Sequence, residues 1–133
     1  MYLISTWQVE QFLTHVRAAF PREASGVLLG RDWKRYTLLT FVATSLEENT
    51  RRSFRIREEQ ICRIAAAVAG TGAQICGCAH SHGFGRAWPS PCDAAAVKGP
   101  CTLWMIFSVP HQDLRLFAWE NNAFTRQRLR IVA

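Results

Sequence analysis

Two continuous apolar runs constrain the fold of this chain more than any other feature. Residues 26–30 (GVLLG) and 102–109 (TLWMIFSV) have the length of buried strands and are too short for independent helices. A strand that is apolar on both faces belongs inside a sheet that is covered on both sides. A chain of 133 residues has room for one such core, so we expect a single domain over residues 1–133.

Helical and strand patterns surround these two runs. Apolar spacing and proline positions predict helices over residues 7–20, 58–69 and 90 to about 98. Further strands are predicted at residues 2–4, 37–45, 54–56 (a short strand or a lead into the next helix), 73–79, 114–119 and 124–132, the last two as a hairpin. Strands and helices do not alternate strictly, so the fold class is α/β or α+β, with a mixed sheet flanked by helices.

Composition excludes several classes of protein. The chain is 49% apolar, which excludes a disordered chain, and no apolar stretch approaches the ~20 residues of a membrane span. The first residues (MYLIS) lack the basic start and long apolar core of a signal peptide. Five cysteines, an odd number, favour reduced thiols over a disulfide framework. We therefore expect a cytoplasmic protein with no membrane partner.

The net charge of +6 leaves three interpretations of the surface. It is compatible with nucleic acid, with an acidic protein partner, or with an ordinary solvated basic surface. No basic run is longer than Arg51-Arg52, so there is no basic tail and a nucleic-acid partner is disfavoured. The oligomeric state stays open.

Two weaker patterns lie on predicted strands. Cys76 and Cys78 share a strand face with the histidines that follow them, and buried structural thiols are favoured over an enlarged metal site. Arg126, Arg128 and Arg130 alternate along the last predicted strand. They predict either a charged face that discourages edge pairing or a surface for an acidic partner.

The residues most suited to chemistry lie between positions 80 and 93. His80 and His82 are two residues apart at the end of a predicted strand, so both face one side and can bind one metal ion. Asp93, in the first turn of the next predicted helix, can supply a third ligand. Two imidazoles and a carboxylate suit Zn²⁺ and leave a fourth position open, as in catalytic zinc sites.

Each part of this pattern also has an ordinary interpretation. His80 and His82 could be two partly exposed surface histidines, and Ser90 with Asp93 forms a capping box that needs no metal. Glu23 alone is an ordinary exposed turn glutamate. The coincidence of these residue types at fixed offsets favours the metal site, and the capping and ligand roles are compatible.

The string HSH-x7-S-x2-D, with Pro89 before the serine and Glu23 upstream of residues 25–30 (SGVLLG), resembles the JAMM (MPN+, Mov34/PAD-1) zinc metallopeptidase family. The resemblance covers most of the chain, and the short length resembles the stand-alone prokaryotic branch. It implies the MPN/JAB fold, which is similar to that of cytidine deaminases.

The resemblance also assigns roles to residues of this chain. His80, His82 and Asp93 would hold one Zn²⁺ per chain. Glu23 would be the general base, and Ser90 would donate a hydrogen bond to the oxyanion of the tetrahedral intermediate.

The implied activity is hydrolysis of a peptide or isopeptide bond directly after the C-terminal Gly-Gly of a ubiquitin-like or sulfur-carrier (β-grasp) protein. The chain lacks room for the long insertions with which eukaryotic deubiquitinases hold ubiquitin. Many relatives have proline directly after the second histidine, where this chain has Gly83, a change that affects the following loop and not the ligands. A non-catalytic MPN-type scaffold and a basic nucleic-acid-binding domain are the alternatives.

Overall fold

The computed structural model describes residues 1–91, 93 and 102–133. Its elements are β1 (Tyr2–Ser5), α1 (Thr6–Ala19), β2 (Ser25–Trp33), β3 (Tyr36–Ala43), α2 (Glu58–Val68), β4 (Gln74–His82), β5 (Leu103–Ser108), β6 (Asp113–Glu120), β7 (Ala123–Gln127) and β8 (Leu129–Val132). Most of the predicted helix at 90–98 lies outside the described residues. None of the helices in the described part of the chain is long and apolar enough to cross a membrane.

The strands that the structure describes form one mixed sheet in the order β7-β6-β5-β4-β2-β3-β1-β8. β4 pairs in parallel with β5 and antiparallel with β2, which places it in the interior of the sheet. All six residues of β5 are buried, as the apolar run predicts. The prediction of an α+β domain with a mixed sheet is therefore confirmed.

The prediction of one final strand over residues 124–132 is wrong. β7 pairs with β6, whereas β8 pairs in parallel with β1 at the opposite end of the sheet order. Only Arg128 separates β7 from β8, so the two edges of the sheet must approach each other and the sheet curls. Arg126, Arg128 and Arg130 are all exposed, but they do not form one face of a single strand.

Residues 54–56 form no strand and serve as the lead into α2. The backbone N–H of Arg55 donates to the side-chain Oδ1 of Asn49 at 3.0 Å, so this donor is satisfied by a side chain and not by a neighbouring strand. The segment therefore follows the second of the two predicted alternatives.

Helix α1 begins and packs as its sequence predicts. The hydroxyl of Ser5 accepts a hydrogen bond from the N–H of Gln8 at 3.1 Å, which caps the helix. Its buried face consists of Phe12, Val16 and Ala19 and packs in the main core. The helix thereby covers one face of the sheet beside the segment that carries Glu23.

The close approach of β4 and β5 requires a residue without a side chain at position 77. A Cβ atom on Gly77 would lie 2.1 Å from the carbonyl oxygen of Leu103. Because that obstacle is backbone, the two strands would have to move apart. These strands lead to the two histidines, so their spacing also matters for the candidate site.

We expect Gly77→Ala to lower the free energy of unfolding by about 3 kcal/mol or more, because overpacking here displaces a buried strand. Gly70→Ala is the matched control: a Cβ there meets nothing within 4 Å, and only its φ of 78° opposes the change, at ~1 kcal/mol. Urea denaturation of both variants measures the difference. Equal losses would show that the β4–β5 contact does not restrict residue 77.

Candidate metal centre

Four ionisable side chains meet where β4 ends. One potential ligand atom from each of Glu23, His80, His82 and Asp93 lies within 4.8 Å of the others. All four residues are buried, and the most exposed of them, His82, retains 8% of its accessible surface. This burial excludes the alternatives of surface histidines and an exposed turn glutamate. The structure thus brings together four of the five predicted site residues, and the fifth, Ser90, is hydrogen-bonded to Asp93.

The spacing of the ligand atoms fits a tetrahedral metal ion. The two histidine Nε2 atoms are 3.2 Å apart. Asp93 Oδ1 lies 3.1 Å from His80 Nε2, and Asp93 Oδ2 lies 3.2 Å from His82 Nε2. Ligands bound to zinc at 2.0–2.1 Å in a tetrahedron are about 3.3–3.4 Å from one another. These three side chains therefore need little movement to bind one ion.

The tautomer of His82 is the one that a metal ligand needs. Its Nδ1–H donates to the backbone carbonyl of Arg86 at 2.7 Å, which leaves the Nε2 lone pair facing the cluster. Nε2 of each ring also lies within hydrogen-bond distance of an Asp93 oxygen, so a proton on either Nε2 can be donated to that carboxylate. Within the described residues, Nδ1 of His80 and Oε1 of Glu23 have no hydrogen-bond partner.

Ser90 and Asp93 form the predicted capping box. The N–H of Asp93 donates to Ser90 Oγ at 3.1 Å, and the N–H of Ser90 donates to Asp93 Oδ2 at 2.8 Å. The same carboxylate therefore caps the chain locally and faces the imidazoles. The Ser90 hydroxyl accepts this hydrogen bond through its oxygen, and its own hydrogen has no acceptor within the described part of the chain. The two predicted roles of this pair are structurally compatible.

Ser81, between the two histidines, connects β4 to the segment that carries Glu23. Its N–H donates to the carbonyl of Ala24 at 3.1 Å, and its Oγ accepts from the N–H of Ala24 at 2.9 Å. The residue is 1% exposed. Residue 23 is thereby held beside the histidines. The sequence alone indicates no role for this serine beyond the strand alternation that points it away from the histidine side.

Asn49 holds the Glu23 main chain from the other direction. Its Nδ2 donates to the carbonyl of Glu23 at 2.9 Å and to Ser25 Oγ at 2.8 Å. The N–H of Glu23 donates to the carbonyl of Thr50 at 2.7 Å. Both main-chain polar groups of Glu23 are therefore satisfied by one loop. The polar composition of residues 47–52 predicts a loop but gives no sign of this contact.

Aromatic side chains enclose His80. Phe54 stacks on the imidazole with ring centroids 4.4 Å apart and an interplanar angle of 23°. Trp104 meets the same imidazole edge-on at 5.4 Å. These rings fix the orientation of His80 and exclude water from one side of the cluster. No local sequence pattern indicates the contact, because Phe54, His80 and Trp104 come from separate elements.

The environment shifts the pKa values of the cluster in opposite directions. Burial, with Asp93 nearby, raises the pKa of Glu23 to about 8 against the opposing effect of His82. Burial lowers the pKa of His80. Burial alone would lower the pKa of His82, but hydrogen bonds to Asp93 and to the Arg86 carbonyl outweigh burial and raise this pKa. Burial alone would raise the pKa of Asp93, but its hydrogen bonds to both histidines hold this pKa well below its usual range.

These pKa shifts give the two acids different protonation behaviour. Asp93 is a permanent carboxylate, whereas Glu23 can gain or lose a proton near neutral pH. A carboxylate beside two imidazoles is the donor set that a divalent zinc ion prefers. A second acid that titrates near the working pH is suited to proton transfer.

Comparison with known proteins agrees with this geometry. Residues 7–122 match the family described as prokaryotic homologs of the JAB domain. The chain belongs to this family. The predicted relationship to the prokaryotic JAMM/MPN branch is thereby confirmed. No curated protein matches this JAB-domain protein at a significant level.

Solved structures share the fold at low sequence identity. A Desulfitobacterium hafniense protein has a TM-score of 0.85 at 22% identity, over 98% of this chain and 92% of its own. A JAB1/MPN domain protein from Archaeoglobus fulgidus gives 0.62 at 17%, over 100% and 98%. A structure described as JAMM, a metalloprotease-like zinc site in the proteasome and signalosome, gives 0.63 at 13%, over 100% and 99%. These similarities show the fold alone.

We expect this JAB-domain protein to contain about one zinc per chain when purified without added metal, as three ligands around one ion require. Elemental analysis measures the content. His82→Ala and Asp93→Ala should each lose most of the zinc, because each removes one ligand. His111→Ala changes an exposed histidine outside the cluster and should retain it. Unchanged zinc in the two cluster variants would contradict the ligand assignment.

We expect Asn49→Ala to lower the free energy of unfolding by about 1–3 kcal/mol, because the buried carbonyl of Glu23 loses its donor. Chemical denaturation measures the change. Gln11→Ala on the exposed side of α1 should alter stability by less than about 0.5 kcal/mol. If Asn49→Ala is equally neutral, the Glu23 segment is held by other contacts.

Proposed function

We propose that this JAB-domain protein is a zinc metallopeptidase that hydrolyses the peptide or isopeptide bond after the C-terminal Gly-Gly of a ubiquitin-like or sulfur-carrier (β-grasp) protein. The observation that carries the proposal is the buried cluster of Glu23, His80, His82 and Asp93. Three of these side chains suit zinc, and the fourth retains a carboxylate oxygen without a partner among the described residues. An open fourth position is the pattern of catalytic zinc.

Each of the five site residues has a role in the proposed hydrolysis. His80, His82 and Asp93 would hold zinc, which when bound supplies the Lewis acidity that activates water and polarises the scissile carbonyl. Glu23 accepts the proton of the attacking water and delivers it to the leaving amine. The Ser90 hydroxyl donates a hydrogen bond to the developing oxyanion.

The structure also restricts what can reach the cluster. Glu23 is 3% exposed and His80 is fully buried, so a substrate carbonyl must enter a narrow space. Glycines have no side chains and fit such an approach, which supports a Gly-Gly tail. The resemblance to JAMM metallopeptidases supports the β-grasp carrier, and the net charge of +6 suits an acidic one.

We expect Glu23→Gln to retain zinc and the fold but to lose activity by several orders of magnitude, because only the proton acceptor is removed. The assay mixes the enzyme with a β-grasp carrier that bears an extension after Gly-Gly, and mass spectrometry identifies the product. Glu10→Gln, an exposed glutamate on α1, is the control and should cleave at the wild-type rate. Normal cleavage by Glu23→Gln would assign the base elsewhere.

We expect Ser90→Ala to lower kcat by a factor on the order of 10²–10³, the cost of losing one oxyanion donor. It also removes the cap on the Asp93 N–H, so the free energy of unfolding should fall by ~1 kcal/mol. Ser90→Thr keeps a hydroxyl and should restore most of both. If zinc is bound but neither wild type nor variants cleave any carrier, the non-catalytic scaffold becomes the better interpretation.

A further inference from the structure

A cleft of about 270 Å³ lies beside the metal centre and is lined by Arg86, Trp88, His111, Asp113 and Arg115. We propose that this cleft binds the free C-terminal carboxylate of the leaving group, so that the enzyme prefers carriers extended beyond Gly-Gly by only one to three residues. The inference rests on the proposed function. Hydrolysis adds one water across the amide, giving a carrier carboxylate and a short peptide or amino acid with a free amine.

Two sets of contacts place the cleft next to the ligands. The carbonyl of Arg86 accepts the hydrogen bond from Nδ1 of His82, so the loop that enters the cleft begins one imidazole ring away from the metal-facing nitrogen. Across the sheet, His82 pairs with Ser108, and Ser108 pairs with Asp113. Adjacent strands are about 4.8 Å apart, so Asp113 lies roughly 10 Å from His82.

The charge of the cleft favours an anion. Arg115 donates to Asp113 at 2.5 Å, and its guanidinium lies 4.9 Å from the ring centroid of Trp88. Arg115 and Asp113 therefore compensate each other's charge, and together they form one wall of the cleft. The exposed guanidinium of Arg86 has no ion-pair partner among the described residues, and positions 92 and 94–101 contain no acidic residue. Arg86 therefore brings an uncompensated positive charge to the cleft.

The leaving group of the proposed reaction supplies an anion here, because its C-terminus is a free carboxylate. The guanidinium of arginine binds a carboxylate through two parallel hydrogen bonds, and Trp88 offers an apolar surface to the adjacent side chain. A peptide spans at most 3.3–3.6 Å per residue, so a distance of roughly 10 Å accommodates up to three residues. The carboxylate of a longer extension would lie beyond Asp113 and outside the cleft.

A binding experiment tests the cleft without requiring catalysis. The tripeptide Gly-Gly-Ala, as free acid and as C-terminal amide, is titrated into the purified protein while NMR follows the indole N–H of Trp88. We expect the acid to bind at least tenfold more tightly than the amide. Arg86→Gln should remove this preference, whereas Arg63→Gln, an exposed arginine on α2, should keep it.

The variant also separates the cleft from the metal. A bound metal could attract the carboxylate by itself, but Arg86→Gln leaves all metal ligands in place. A preference that survives in Arg86→Gln, or equal binding of acid and amide by wild type, overturns the inference.

Cleavage kinetics then distinguish this inference from the proposed function. A carrier ending in Gly-Gly-Ala should be cut with a kcat/KM at least tenfold above that of its C-terminal amide, and Arg86→Gln should make the two equal. Equal rates for acid and amide in wild type would overturn the inference while the proposed function stands. If Arg86→Gln slows both equally, Arg86 contacts the body of the carrier, which also overturns it. If neither is cut but the tripeptide acid still binds through Arg86, the cleft assignment stands and the proposed function fails.

Discussion

The reciprocal hydrogen bonds between Ala24 and Ser81 fix the geometry on which the candidate site depends. They join β4, which carries both histidines, to the segment that carries Glu23. Each such bond contributes ~0.5–1.5 kcal/mol, and a buried donor left unpaired costs about 1–3 kcal/mol, so this register is strongly preferred over a shifted one. Asn49 secures the same segment from the other side. The position of Glu23 relative to the imidazoles is thus held by hydrogen bonds to the main chain that lie outside the cluster.

Burying four ionisable groups together is unfavourable unless their charges are compensated. In this protein the two acids differ: Asp93 is paired with both imidazoles, whereas Glu23 has a carboxylate oxygen without a partner among the described residues. A bound divalent cation would compensate the charge of the cluster, and its affinity would add to the stability of the fold. A cluster of buried ionisable groups that lowers the stability of the fold is characteristic of functional sites.

Local sequence patterns predicted what depends on local geometry. The two-residue period of a strand placed His80 and His82 on one side, and the Ser-x-x-Asp spacing predicted the cap at Ser90. Patterns failed where distant segments meet. Arg126, Arg128 and Arg130 alternate along residues 124–132. Nothing in this segment indicates that the chain stops pairing with β6 after β7 and continues beside β1. Phe54 stacks on His80 through a tertiary contact of the same kind, which no short motif encodes.

X-ray absorption spectroscopy at the zinc edge tests the central claim most directly, because it reports the atoms bound to the metal. The arrangement of His80, His82 and Asp93 requires four nitrogen or oxygen ligands at about 2.0–2.1 Å, with multiple-scattering features of two imidazoles and no sulfur. A shell at about 2.3 Å would reveal a cysteine ligand, and a spectrum without imidazole scattering would place the metal elsewhere. Either result would contradict the account of this site.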